Sequence, residues 1–252
     1  MDDQLELLVD LHIDGDRQGP GSNEATRSAI ELAGLVGRTD LAVADIGCGT
    51  GASALVLASD LDAHVTAVDF LPQFLSRLNS DAEQSGLGDR ITIRTESMDE
   101  LSFEDASLDV VWSEGAIYNI GFEKGIRSWR KFLKPGGVLA VSEIIWLTHQ
   151  RPAELEEHWM AEYAEISTAS NKLATLEAAG YSPVGYFTLP ECCWLDHYYR
   201  PMQDRFPAFL KRHDGSPAAN QIVEAEQHEI DLYERYSDRF GYGFFIAVRT
   251  AE

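Results

Sequence analysis

Lysine is scarce in this chain. Only five of the 20 basic residues are lysine, and 42 acidic residues outnumber them to give a net charge of -22. A surface this negative repels phosphate backbones, because protein affinity for nucleic acid comes largely from Lys and Arg. Nucleic acid is therefore not expected as partner or acceptor. Such a surface suits a salty cytoplasm, although genome composition produces the same bias. Cysteine is scarce too: the three residues Cys48, Cys192 and Cys193 cannot build a disulfide framework. Adjacent cysteines rarely bridge, since the ring strains the peptide between them. The histidines at 12, 64, 149, 158, 197, 213 and 228 never fall in a metal-ligand spacing with Cys or a carboxylate, so no metal is expected. No apolar run approaches the roughly 18–20 residues that span a bilayer, and no membrane association is expected. The start, Met1-Asp2-Asp3, is acidic where a secretory leader is basic, which points to the cytoplasm. Nothing speaks to the oligomeric state.

What is present is a 252-residue chain with 44% hydrophobic residues, enough for one α/β domain with a real core. Short β-branched runs alternate with helical patterns, the signature of βαβ units and a parallel sheet. Leu5, Leu7, Leu8 and Leu11 begin a short helix, and glycines with Pro20 mark a loop at 15–21. Ser22 caps a helix running to about Val36. Strands are expected at 41–46, 64–68, 90–94, 108–112, 138–145, 184–189 and 242–248. Helices are expected at 52–60, from Pro72 onward, at 122–133, 150–166 and 170–179, and near 218–236. The fold class is thus α/β, a seven-stranded, doubly wound, Rossmann-like sheet. Residues 190–240 interrupt it with a Cys-Trp, His-Tyr-Tyr and Phe-rich stretch.

The chemistry concentrates at Asp45-Ile46-Gly47-Cys48-Gly49-Thr50-Gly51, which ends the first strand. A residue without Cβ lets the backbone turn sharply into a helix and approach a ligand closely. Asp69 ends the next strand, where a carboxylate can accept hydrogen bonds from both ribose hydroxyls of a nucleoside cofactor. Either piece alone is weak; together they point to a nucleotide site. A nicotinamide-binding Rossmann domain is the competing reading, since Gly49 and Ala52 nearly complete its fingerprint. Against it stand the acid at Asp45, the helix ahead of the first strand, and the turn Lys134-Pro135-Gly136-Gly137, which has no role in dinucleotide binding.

These segments, together with Ser97-Met98 and the run from Phe103 to Asp109, resemble the class I S-adenosylmethionine (SAM)-dependent methyltransferases, in particular their ubiquinone/menaquinone-biosynthesis-like, small-molecule branch. The resemblance covers roughly residues 40–145 and implies a sheet that is mostly parallel with an antiparallel last strand. It implies that SAM is the cofactor and S-adenosylhomocysteine the product. Gly47, Cys48 and Gly49 would pass against the methionine part of SAM, with Asp45 orienting that loop or reaching the amino group. Asp69 would hold the ribose and Phe70 would lie against the adenine. Ser97 and Met98 fall where the family places an adenine acceptor and an apolar neighbour, although many relatives have Asp at the position of Ser97. Glu114 ends the fourth strand, facing the transferring methyl.

The reaction expected is methyl transfer by direct in-line displacement to a small-molecule acceptor, at O, N or C. Candidates for a general base are Glu114, Tyr118 and His197, each with a plainer role available: holding the methionine amino group, packing beside the cofactor, or structure. The whole chain reads as one methyltransferase domain. Residues 1–40 supply helices and a lid loop, 41–145 the cofactor core, and 146–169 with 190–240 a cap enclosing the acceptor with residues such as Trp159, Trp194, Tyr198 and Phe209. Apart from the nicotinamide oxidoreductase, the remaining rival is a protein that binds SAM without catalysis.

Overall fold

The computed structural model describes residues 3–251; Met1 and Asp2 of the acidic start lie outside the described residues. Helix α1 (Asp3–His12) buries Val9 and Leu11. A loop leads to α2 (Asn23–Leu32), where Ser22 caps the helix by accepting a hydrogen bond from the Ala25 amide. The helix stops short of the expected Val36. Gly34 takes a positive φ of 63°, and the Leu35 amide reaches back to the Ile30 carbonyl. That closure is a Schellman motif; it buries Leu35 and leaves Val36 exposed.

The sheet-forming core follows as β1 (Leu41–Ile46), α3 (Ala52–Asp60), β2 (Ala63–Asp69), α4 (Pro72–Gln84), β3 (Ile91–Thr95) and β4 (Leu108–Glu114). Then come α5 (Phe122–Trp129), β5 (Leu133–Trp146), α6 (Ala153–Glu162), β6 (Ser167–Thr168), α7 (Ala169–Ala178) and β7 (Tyr181–Thr188). The chain continues through α8 (Glu191–Trp194), a π-helical turn at Leu195–Tyr199, α9 (Arg200–Arg212), α10 (Pro217–Tyr236) and β8 (Phe240–Arg249).

The strand order is β3-β2-β1-β4-β5-β8-β7. Strands β1 to β5 pair in parallel, and β8 runs antiparallel between β5 and β7. The architecture is therefore the expected Rossmann-like α/β sheet with an antiparallel last strand. Two details extend it. Strand β5 runs past the end of β4, and its last residues, Ile145 and Trp146, pair with the two-residue β6. The edge strand β7 alternates half-buried and exposed residues after the buried Tyr181 and shifts register between Pro183 and Gly185, which blunts it against pairing with another chain.

Alternation along β5 explains the two-sided core. Val138, Ala140, Ile144 and Trp146 face α2, α3, α4 and the cap helices, whereas Leu139, Val141 and Ile145 face α5 and α7. Strands buried on both faces read as continuous apolar runs, and β1 and β4 do so. Because the order of strands reverses between β1 and β4, the crevice beyond their carboxyl ends is the place for a ligand. Among the described residues no helix is long and apolar enough to cross a membrane.

Candidate active site

The loop after β1 is held by the end of β2. The amides of Gly47 and Cys48 both donate to the Val68 carbonyl, at 2.8 and 3.0 Å. One Asp69 oxygen accepts from the Gly49 amide at 2.9 Å, and the other accepts from the Leu71 amide at 2.9 Å. Burial raises the Asp69 carboxyl above its usual range despite these bonds, which pull the other way. Glycine is favoured at position 49, where φ is 55° and an added Cβ would displace the end of the Gln18 side chain. At Gly47 it would collide with the methyl of Ala116.

Asp45 stands behind this loop, fully buried. Ser53 Oγ donates to its Oδ2 at 2.6 Å, while its Oδ1 has no partner among the described residues. Burial pushes its carboxyl up to about 7, Glu114 and Asp69 adding to the effect and the Ser53 bond opposing it. An unpartnered buried acceptor beside a glycine loop fits a ligand that brings a donor, as the ammonium of SAM does. The neighbouring Cys48 thiol is held well up by burial, with Asp45 and Asp69 adding, so it is a packing group rather than a nucleophile.

A cavity of about 240 Å³ opens over the loop. It is lined by Gly47, Cys48, Gly49, Asp69, Phe70, Met98, Glu114 and Tyr118, and also by Arg17, Gln18, Glu96 and Asn119. Most of the expected cofactor residues are thus brought together. Asp45 stays behind the loop, off the cavity wall, and Ser97 does not line it either. Ser97 is exposed and donates its hydroxyl to Asp99 at 2.6 Å, so the neighbouring Glu96 lines the cavity in its place. The carboxylate of Glu96 already accepts from the Ser102 amide and hydroxyl, at 3.0 and 2.6 Å.

Glu114 faces the cavity but is fully engaged. Its Oε2 accepts from Arg17 Nη1 at 2.7 Å, and its Oε1 accepts from Thr26 Oγ1 at 2.7 Å and Trp112 Nε1 at 2.9 Å. Arg17 comes from the loop between α1 and α2, and the pair is buried, with side-chain exposures of 9% and 7%. Next to it, Gln18 Oε1 accepts from the Thr50 amide at 2.9 Å. The loop is therefore strapped across both the glycine turn and the end of β4. Among the three candidate bases, Glu114 is tied into this strap. His197 is exposed and lies in a separate depression with Glu24 and Arg205, because the π-helical turn that buries Tyr198 and Tyr199 turns it outward.

Tyr118 alone of the three stands at a junction. It lines the cofactor cavity and a second cavity of about 110 Å³, walled by Trp159, Tyr163, Trp194, Tyr198, Tyr242, Glu162 and Glu229. Its ring meets Tyr163 edge-on at 6.0 Å. Burial raises its phenol above the ordinary range, with Glu229, Glu226 and Glu143 adding, so it remains a neutral hydrogen-bonding group. The sequence points to Arg17 and Gln18 only as part of the 15–21 lid loop, and it does not point to Glu96, Glu162 or Glu229. For Arg17 the signal available was a basic residue inside a Gly/Pro loop of an acidic chain. For the two glutamates there was none, since α6 and α10 are distant in the chain. Among the described residues no group of three or more His, Cys, Asp and Glu could hold a metal ion.

Comparison with known proteins agrees with this geometry. A model of the methyltransferase domain matches residues 43–137. The chain is 26% identical over 234 residues to 27-O-demethylrifamycin SV methyltransferase of Amycolatopsis mediterranei, covering 88% of this chain and 81% of that protein. It is 28% identical over 133 residues to the glycine/sarcosine/dimethylglycine N-methyltransferase of Actinopolyspora halophila, covering 51% of this chain but 23% of that protein. Its fold superposes on a SAM-dependent methyltransferase of Geobacter sulfurreducens in complex with S-adenosylhomocysteine, with a TM-score of 0.84 and 19% identity over 96% of this chain and 97% of that one. Glycine turn, ribose-side carboxylate, strand order and these likenesses converge: residues 43–137 match a methyltransferase domain, and the sheet that carries them has the class I SAM-dependent methyltransferase architecture.

Proposed function

We propose that the protein transfers the methyl group of SAM to a small-molecule acceptor held in the aromatic cavity behind Tyr118. The observation that carries this reading is the junction itself. The two cavities share Gln18, Gly19, Pro20, Gly115 and Tyr118, so a donor in one and an acceptor in the other meet at that wall. The cap segments 146–169 and 190–240 supply the acceptor side, residues 41–145 the cofactor side, and residues 1–40 the strap over both.

Bound SAM supplies a methyl group on a positively charged sulfur, already activated for displacement. The chain's residues need only bind, orient and exclude water; alignment of this kind is worth roughly 7–11 kcal/mol of barrier in favourable systems. Asp69 holds the ribose hydroxyls with the lone pairs left over from its two amide bonds. Asp45 receives the methionine ammonium, and Gly47, Cys48 and Gly49 lie along the methionine part. Phe70 and Met98 flank the adenine, with Glu96 rather than Ser97 available to its amino group. Tyr118 orients the acceptor. Glu114 keeps the Arg17 strap closed and moves no proton. By its motifs we also assign the chain to the quinone-biosynthesis-like, small-molecule branch.

The test is S-adenosylhomocysteine release over a panel of small alcohols, phenols, amines and carbon acids. An acceptor-dependent rate is expected for at least one class. Tyr118→Phe is expected to lower kcat/KM for it about tenfold, the loss of one oriented hydrogen bond of ~1.4 kcal/mol, without changing S-adenosylhomocysteine affinity. An unchanged kcat/KM contradicts the placement of the acceptor.

A further inference from the structure

We propose that the acceptor is a small amine, drawn in as its ammonium form and methylated at nitrogen, with Glu229 taking the proton. The inference rests on the methyl-transfer reading above and names the substrate class for the same site. Four observations carry it.

The first is size. The acceptor cavity holds about 110 Å³, under half of the 240 Å³ of the cavity given to SAM. An acceptor much smaller than SAM fits it best.

The second is the wall. Six aromatic rings line it, those of Tyr118, Trp159, Tyr163, Trp194, Tyr198 and Tyr242, and its only charged residues are Glu162 and Glu229. No Lys, Arg or His among the described residues lines it. Aromatic faces carry negative potential and attract cations, most strongly out of water. A wall of this kind rejects a phosphate or a free carboxylic acid and favours an ammonium.

The third is Glu229. Its Oε1 accepts from Tyr199 Oη at 2.7 Å. Burial pushes this carboxyl up to about 7, Glu226 adding and the Tyr199 bond opposing. A carboxylate poised there both attracts an ammonium and can take a proton from it near neutral pH.

The fourth is a pair of unpartnered donors. Trp159 and Trp194 are 8% and 1% exposed, and neither indole N–H has a hydrogen-bond partner among the described residues. Buried polar groups are rarely left so, and an oxygen on the acceptor would satisfy one of them. An amino alcohol has both features.

The balance is simple. The ammonium gives a proton to Glu229 and becomes an amine. The nitrogen lone pair forms the new N–C bond to the methyl carbon as the C–S bond breaks, and the sulfur keeps that electron pair. A methylated ammonium and S-adenosylhomocysteine leave, and Glu229 returns its proton to water.

The experiment uses two probes of one shape, N,N-dimethylethanolamine and its uncharged carbon counterpart 3-methylbutan-1-ol. Each is titrated into the full chain saturated with S-adenosylhomocysteine. The amine is expected to bind at least tenfold tighter than the alcohol, and Glu229→Gln is expected to abolish that preference while keeping S-adenosylhomocysteine affinity. Equal binding, tighter binding of the alcohol, or no amine binding to a protein that binds S-adenosylhomocysteine overturns the proposal. Failure of the wild type to bind S-adenosylhomocysteine overturns the underlying reading instead. Should Glu229→Gln itself fail to bind S-adenosylhomocysteine, the wild-type preference between the two probes still decides.

Discussion

Two aspartates with the same chemistry do different work because their surroundings differ. Asp69 accepts two backbone amides and fixes the glycine turn. Asp45 has one hydroxyl partner and one oxygen with none among the described residues. The consequence for Asp45 is a pH dependence whose sign follows from proton counting. An unfolded Asp titrates near about 3.9, whereas Asp45 in the fold does so at about 7. Between these values the folded chain keeps a proton that the unfolded chain has lost, so stability falls as pH rises through that window. Glu229, also raised to about 7, acts in the same direction. Asp45→Asn keeps an acceptor for Ser53 but cannot ionise. The melting temperature of this variant, followed by calorimetry without ligand, is expected to fall less than that of the wild type between pH 5 and pH 7. Parallel profiles would show that Asp45 does not titrate in this range.

At the scale of elements, the loop between α1 and α2 is the connection with the largest functional reach. Its Arg17 pairs with Glu114 at the end of β4, and its Gln18 holds Thr50 in the glycine turn. Removing one partner of a buried ion pair leaves the other charge unpaired and costs about 3–5 kcal/mol. Arg17→Ala is therefore expected to lower unfolding free energy by about that amount and to speed proteolysis within residues 15–21. S-adenosylhomocysteine is expected to restore part of the protection. Cleavage at the wild-type rate would mean the strap is not held by this pair. Arg17→Lys is not a conservative test, because a single ammonium cannot replace a guanidinium that reaches both Glu114 and Thr26. A second element effect is the π-helical turn at Leu195–Tyr199, which inserts a residue into the helical register. Such bulges re-aim side chains at functional sites; here Tyr198 goes to the acceptor cavity and His197 to solvent.

Across the whole molecule, the cofactor half and the acceptor half differ in how far the sequence discloses them. The glycine turn, Asp45 and Asp69 are legible because their demands are local: a positive φ favours glycine, and a strand end fixes where the next side chain points. The same reasoning slipped by one residue at Ser97, since beyond Thr95 the chain leaves β3 and no strand alternation tells Glu96 from Ser97. Helix α2 ends short of the expected Val36 for a local reason too, the positive φ of Gly34 closing its C-terminus. The acceptor half was legible only as a surplus of aromatics. Glu162 and Glu229 come from α6 and α10, and no spacing links them to Tyr118; only packing of the cap onto β5 and β8 brings them together. His197, the one histidine offered as a base, illustrates the limit. Its position in the chain is right beside the cavity residue Tyr198, but its direction depends on a π turn that no propensity announces.

The claim that underlies every other is that the cavity over the glycine turn, held by Asp69, is a SAM site. Isothermal titration of the wild type and of Asp69→Ala with S-adenosylhomocysteine and with NAD tests it directly. The account predicts saturable binding of S-adenosylhomocysteine, none of NAD, and affinity weaker by about 10- to 100-fold in the variant, the loss of charge-assisted bonds worth ~1.5–3 kcal/mol. Binding of NAD alone, or S-adenosylhomocysteine binding equally tight in Asp69→Ala, would contradict it.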